Sequence, residues 1–125
     1  MLLVIDHHNG VPAYRQIMDQ IKLQIAAGVL PAGTEMASTR GLSAELSLNP
    51  MTISKAYNLL EREGVLERRR GQTLVVRALP AGEQQTNKLE PLRQHLASAA
   101  VLARQLGISR EQALKLFRET LSSSQ

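Results

Sequence analysis

The chain has no cysteine and no tryptophan, and only one phenylalanine and two tyrosines among its 125 residues. Without cysteine there is no disulfide, thiolate zinc site or thiol nucleophile, and the composition fits a reducing cytoplasm. So few aromatic rings argue against the exposed stacking platform that single-stranded nucleic acid requires. Long hydrophobic runs are lacking as well. Only five residues precede the first charge in MLLVIDHH, too few for a signal-peptide core or a membrane span. A cytoplasmic protein without a membrane partner is therefore expected. Catalytic patterns are missing too: there is no nucleophile elbow, phosphate-binding glycine loop or metal-binding pair. His7 and His8 are adjacent, so they point apart on a strand, and His95 stands alone; no metal, cofactor or enzyme activity is expected.

What is present is positive charge. A formal net charge of +4 and a pI near 10.0 suggest a polyanionic partner. The length suits one small domain with an appendage. Leu2 to Ile5 reads as an N-terminal strand or a packed arm. From Pro12, the residues Tyr14, Ile17, Met18, Ile21 and Ile25 share one helical face, and Gly28 stops that helix. A second helix should run from a cap at Ser38 to about Leu46, burying Leu42 and Leu46. Gly41 inside it is a poor helix former, so it either permits a close approach or marks a weak spot. Only Ser47-Leu48-Asn49 separates this helix from the next, the tight connection of a helix-turn-helix.

The third helix carries the most information. Asn49 is a favoured N-cap, Pro50 suits the first helical position, and Ile53, Ala56, Tyr57, Leu59 and Leu60 form its apolar face. Gly64 should end it in the left-handed conformation and fold Val65 back onto Leu60. Two short strands are then expected, Val65 to Arg70 and Thr73 to Arg77, with a turn at Gly71. An isolated Arg68-Arg69-Arg70 triplet reads as a charged hairpin edge that discourages edge-to-edge pairing. Directly after a capped helix it reads instead as a wing that grips a DNA backbone.

Pro80-Ala81-Gly82 and the polar run that follows interrupt all periodicity. The expected organisation is a DNA-binding domain at 10–79, a linker at 80–87 and a helical tail at 88–125. On the fourth helix Leu89, Leu92, Leu96, Ala99, Ala103 and Leu106 recur at gaps of three and four, drawing a straight apolar seam. Gly107 ends that helix, Ser109 with Gln112 makes a capping box, and Leu114, Phe117 and Leu121 form a stripe on the fifth. The seam can pack against the fifth helix within one chain, but two helices alone bury too little to be independently stable, so these nine residues are expected to serve a homodimer interface.

These residues resemble the GntR family of bacterial winged-helix transcription regulators, and within it the small YtrA-like subfamily. The likeness spans Pro12 to about Val76. It runs through Pro12-Ala13-Tyr14-Arg15-Gln16-Ile17, Gly28-Val29-Leu30-Pro31-Ala32-Gly33, Ser38-Thr39-Arg40, and Asn49-Pro50-Met51-Thr52 through Ala56-Tyr57 to Gly64. The resemblance implies a mostly α fold with a small β wing, an N-terminal winged helix-turn-helix and a C-terminal two-helix dimerisation tail. It implies a dimeric repressor that binds a palindromic double-stranded operator, controlling its own operon and a neighbouring transporter operon. Carried over residue by residue, the DNA-binding set is Ser38, Thr39, Arg40, Asn49, Pro50, Met51, Thr52, Ser54, Lys55, Arg69, Arg70, Gly71 and Gln72. Two departures stand out. Met36-Ala37-Ser38 replaces the usual Leu-Pro-Ser, and Gly71-Gln72-Thr73 carries one glycine where the family wing usually has two.

The chemistry of these side chains agrees. A helix N-terminus offers unpaired N–H groups and partial positive charge to phosphate. Arg40 can take a guanine edge or a phosphate, Thr52 and Ser54 a phosphate or a base, and Met51 a thymine methyl. Lys55 and Arg70 suit phosphates. Asn49 either contacts DNA or only caps its helix, and Tyr57 falls on the core face. A small effector, if one exists, must use the dimer interface or the groove beneath the first helix. The rival expectation is a winged-helix adaptor that binds proteins and not specific DNA.

Overall fold

In the computed structural model, which describes residues 1–78 and 89–123, the chain divides into two compact units, Met1–Lys88 and Leu89–Gln125. The first contains helices α1 (Ala13–Ala26), α2 (Thr39–Leu46) and α3 (Pro50–Arg62) and strands β1 (Leu66–Arg68) and β2 (Leu74–Val76). The second contains α4 (Leu89–Gln105) and α5 (Arg110–Ser123). This is the expected mostly α fold with a small β wing. The linker expected at 80–87 lies outside the described residues.

One core holds the first unit. Ile17 and Ile21 of α1, Leu42 of α2, Ile53 and Leu60 of α3, Leu66 and Val76 are all buried together. The N-terminal residues join them as an extended arm and not as a paired strand, because Leu3 is buried while Leu2 and Val4 face outward. Side-chain amides of α1, spaced one helical turn apart, substitute for a neighbouring strand. Gln20 exchanges two hydrogen bonds with the backbone of Val4 (2.9 and 2.6 Å) and Gln16 two with that of Asp6 (2.9 and 2.8 Å), while Gln24 donates to the Leu2 carbonyl (2.6 Å). Leu3 of this arm belongs to the core of the first unit. Gln16, a polar residue on the apolar face of α1, is buried because its amide is satisfied there.

Helix α2 starts as expected: the Ser38 side chain accepts from the Gly41 N–H at 2.9 Å. A β-carbon on Gly41 would lie 3.0 Å from the Ser38 Oγ, so this glycine permits the close approach of the cap. The helix ends at Ser47, which holds a positive φ of 55°. Below that turn the Ser43 hydroxyl donates to the Leu48 carbonyl, and the Leu48 N–H donates to the Ser43 carbonyl at 3.0 Å. The short connection is thus tied from inside, and α3 follows at once.

Helix α3 begins with Asn49 accepting from the Met51 N–H at 2.8 Å and Pro50 in its first turn. Its end is the expected reversal. Gly64, at φ 80°, donates to the Glu61 carbonyl, and Val65 donates to the Leu60 carbonyl at 2.9 Å. The strands are shorter than expected, three residues each, paired antiparallel with Leu66 opposite Val76 and Arg68 opposite Leu74. Arg69 and Arg70 belong to the wing turn and not to a strand. Arg70–Gln72 forms a tight 3-10 turn around Gly71 at φ 81°, closed by the Arg69 N–H donating to the Thr73 carbonyl at 2.8 Å. The other edge of β2 takes the segment leading into α2, through Gly33 to the Val76 carbonyl, Val76 to Thr34 and Met36 to the Leu74 carbonyl.

In the second unit, Gly107 and the Ser109–Gln112 capping box join α4 to α5 as expected. No residue of either helix is buried within the chain. Leu89, Leu92, Leu96 and Leu106 on α4, and Leu114, Phe117 and Leu121 on α5, are all exposed. Ala99 is exposed and Ala103 half-buried. Val101, Leu102 and Leu116, outside the expected seam and stripe, are exposed as well.

Candidate nucleic-acid interface

The expected contact residues come from three elements of the first unit. On α3 one face is committed to the core through Ile53, Ala56, Tyr57 and Leu60, which leaves the opposite face of the first two turns to solvent. Met51 stands there 74% exposed, the highest value among the large hydrophobic side chains of the described residues. An unbranched thioether held in water at a helix N-terminus adds nothing to the core. Thr52 and Ser54 are half-buried beside it. Asn49 spends its side-chain oxygen on the cap, so the outward group left to it is the amide NH₂, a donor.

Lys55 leans toward α1, where its ammonium lies 4.1 Å from the centre of the Tyr14 ring. The aromatic face holds the charge in place without neutralising it. Arg40 follows the capped first residue of α2 and is exposed. In the wing, Arg68 pairs with Glu61 at 3.3 Å and Arg69 with Glu67 at 3.7 Å, both exposed pairs that hold geometry more than energy. Arg70 enters no ion pair among the described residues and sits with Gly71 and Gln72 in the turn.

A groove of about 450 Å³ joins the three elements. Ser38 and Thr39 from α2, Ser54 from α3, and Arg68 and Thr73 from the wing line it, with Tyr57 and Asn58 beside them. It brings together Ser38, Thr39 and Ser54 from the expected set; Arg40, Asn49, Pro50, Met51, Thr52, Lys55, Arg69, Arg70 and Gly71 lie outside it. Asn58, Arg68 and Thr73 were absent from the expected set. Asn58 had a signal in the sequence, since it follows Ser54 by one helical turn and shares its face.

Tyr57 is buried to 3% exposure, as its place on the apolar face required, yet it is not only apolar filling. Its hydroxyl donates to the Ala37 carbonyl at 2.8 Å. Burial first, and the Glu45 carboxylate second, push its pKa up from 10.0 to about 12. The group is a proton donor at any physiological pH. Among the described residues no cluster of histidine and carboxylates could hold a metal ion, and no helix is long and apolar enough to cross a membrane.

Comparison with known proteins agrees with this architecture. The family described as bacterial regulatory proteins, gntR family, matches residues 13–76. The HTH-type transcriptional repressor YtrA of Bacillus subtilis is 29% identical over 118 residues, covering 94% of this chain and 91% of that protein. The HTH-type transcriptional regulator YhcF of the same organism is 31% identical over 108 residues, covering 86% and 88%. Among solved structures, YtrA from Sulfolobus acidocaldarius, a GntR-family transcription factor, superposes with a TM-score of 0.60 at 29% identity, covering 98% of each chain. The chain belongs to the gntR family of bacterial regulatory proteins, as a winged helix-turn-helix transcription regulator and not an enzyme.

Proposed function

We propose that the chain is a homodimeric, sequence-specific DNA-binding repressor acting in the cytoplasm on a palindromic operator. Its targets are its own operon and that of a neighbouring transporter. The observation that carries this reading is the first turn of α3. It is capped and projects Met51 into water, and Ser54 just beyond it lines a groove with Ser38, Thr39 and the wing residues Arg68 and Thr73. In this reading that turn enters the major groove, with Arg40 and Thr52 at base edges or phosphates and Met51 at a thymine methyl. Lys55, Arg69 and Arg70 neutralise phosphates, fixing register without reading sequence.

The dimer reading rests on the second unit. Leu89, Leu106 and Leu121 are each more than 60% exposed, a state in which α4 and α5 bury too little to be stable. A two-fold partner covers such a face and doubles the DNA-binding heads, one for each half-site. Residues 10–79 then form the DNA-binding domain, 80–87 the linker and 88–125 the dimerisation tail.

A salt series on duplex DNA tests the reading. Release of counterions by several lysine and arginine contacts makes affinity fall linearly with the logarithm of salt, with a slope of about −0.9 per neutralised phosphate. A binding constant indifferent to salt, or capture of a protein in place of DNA, favours the adaptor.

A further inference from the structure

Recognition on this fold requires two elements to act together, because Arg40 lies on α2 while Asn49 to Ser54 lie on α3. A bidentate base contact tolerates little misplacement, so the relative setting of the two helices matters as much as the side chains. Helix α2 is only eight residues long, and besides Ser43 it buries one side chain fully, Leu42. Apolar packing of that extent fixes its distance from α3 better than its rotation. Hydrogen bonds at its two ends supply the rest. At the C-terminal end, Ser43 ties the turn to Leu48. At the N-terminal end, the tie is the Tyr57 hydroxyl, which crosses from α3 to the Ala37 carbonyl, one residue before the Ser38 cap.

We propose that Tyr57 is a positioning residue for sequence recognition: its hydroxyl holds the entry of α2, and with it Arg40, in register with the first turn of α3. The inference rests on the DNA-binding reading above. Three features suit the phenol to this task. Its ring is locked in the core beside Ile53 and Leu60, so the oxygen has one reach. That ring opens onto the groove shared by α2, α3 and the wing, where Ala37 and Ser38 form the facing wall. Ala37 itself is exposed, so when the hydroxyl is removed water can satisfy its carbonyl. Loss of the hydroxyl therefore costs the fold little and the alignment much. Phenylalanine is the decisive replacement, since it keeps the ring and removes only the tie.

The test uses the full chain, a duplex enriched from a randomised library by the wild-type protein, and a shuffled duplex of the same length and composition. Tyr57→Phe should bind the enriched duplex about tenfold more weakly, with less than about a twofold change on the shuffled one and an unchanged salt slope. Combined with Arg40→Ala, it should cost almost nothing further, because there is then no guanidinium to position. Equal losses on the two duplexes, no loss on either, or full additivity with Arg40→Ala overturns the proposal while leaving the DNA-binding reading intact. Wild-type protein that fails to discriminate the two duplexes overturns both.

Discussion

Arg40 is the residue on which sequence discrimination should turn. It is exposed at the start of a capped helix, and its guanidinium can reach a guanine edge or a phosphate. Arg40→Ala is expected to weaken binding to a selected operator by about 1–3 kcal/mol more than binding to nonspecific duplex. Competition titrations with the two DNAs check this, and equal losses would make Arg40 a phosphate contact. Tyr57 offers an independent residue-scale check that needs no DNA. Its pKa is about 12 in the fold against 10.0 unperturbed, so the folded state keeps the proton longer than the unfolded state does. The stabilising contribution is complete below pH 10 and is lost as the pH rises toward 12, by an amount of roughly 2–3 kcal/mol. Denaturant melts across pH 9 to 12 should show wild type losing stability relative to Tyr57→Phe by that amount as the pH rises. Parallel curves would show that the phenol titrates as freely in the fold as out of it.

Among the elements, the wing separates two roles for one charge cluster. Arg68 and Arg69 face glutamates, while Arg70 enters no ion pair among the described residues. Replacing Arg69 and Arg70 together with alanine should lower affinity for all sequences alike and reduce the salt slope by about 1–2. A slope that stays put would assign the triplet to edge protection instead. The elements also show where sequence was sufficient. Gly64 with Val65, Ser38 with Gly41, and Ser109 with Gln112 are local devices whose partners lie within five residues, so their spacing announces them. Gln16, Gln20 and Gln24 carry no such signal, because the arm they hold is 10 to 22 residues away. The Tyr57 tie to Ala37, across 20 residues, was hidden for the same reason: a hydroxyl at a core position announces neither its partner nor its direction. The shortened strands reflect a turn that takes Arg70 to Gln72 out of the ladder, which alternation alone did not reveal.

At the scale of the whole molecule, the two units divide the work. The first has a closed core from Leu3 to Val76 and presents α3 and the wing. The second leaves its apolar residues exposed, and this was legible as a seam at gaps of three and four; Val101, Leu102 and Leu116, also exposed, follow no such spacing. Periodicity locates an apolar face; it does not say which chain covers it. The central claim, that two copies joined through this face bind one duplex, is tested most directly by sedimentation velocity of the intact chain with a labelled, selected duplex. Two chains per duplex are expected. The same measurement on Leu92→Glu with Leu96→Glu should give little complex at the same concentration, because carboxylates facing each other across a two-fold interface repel and lack partners. One chain per duplex, or a double variant that forms the wild-type complex at the wild-type concentration, would contradict it.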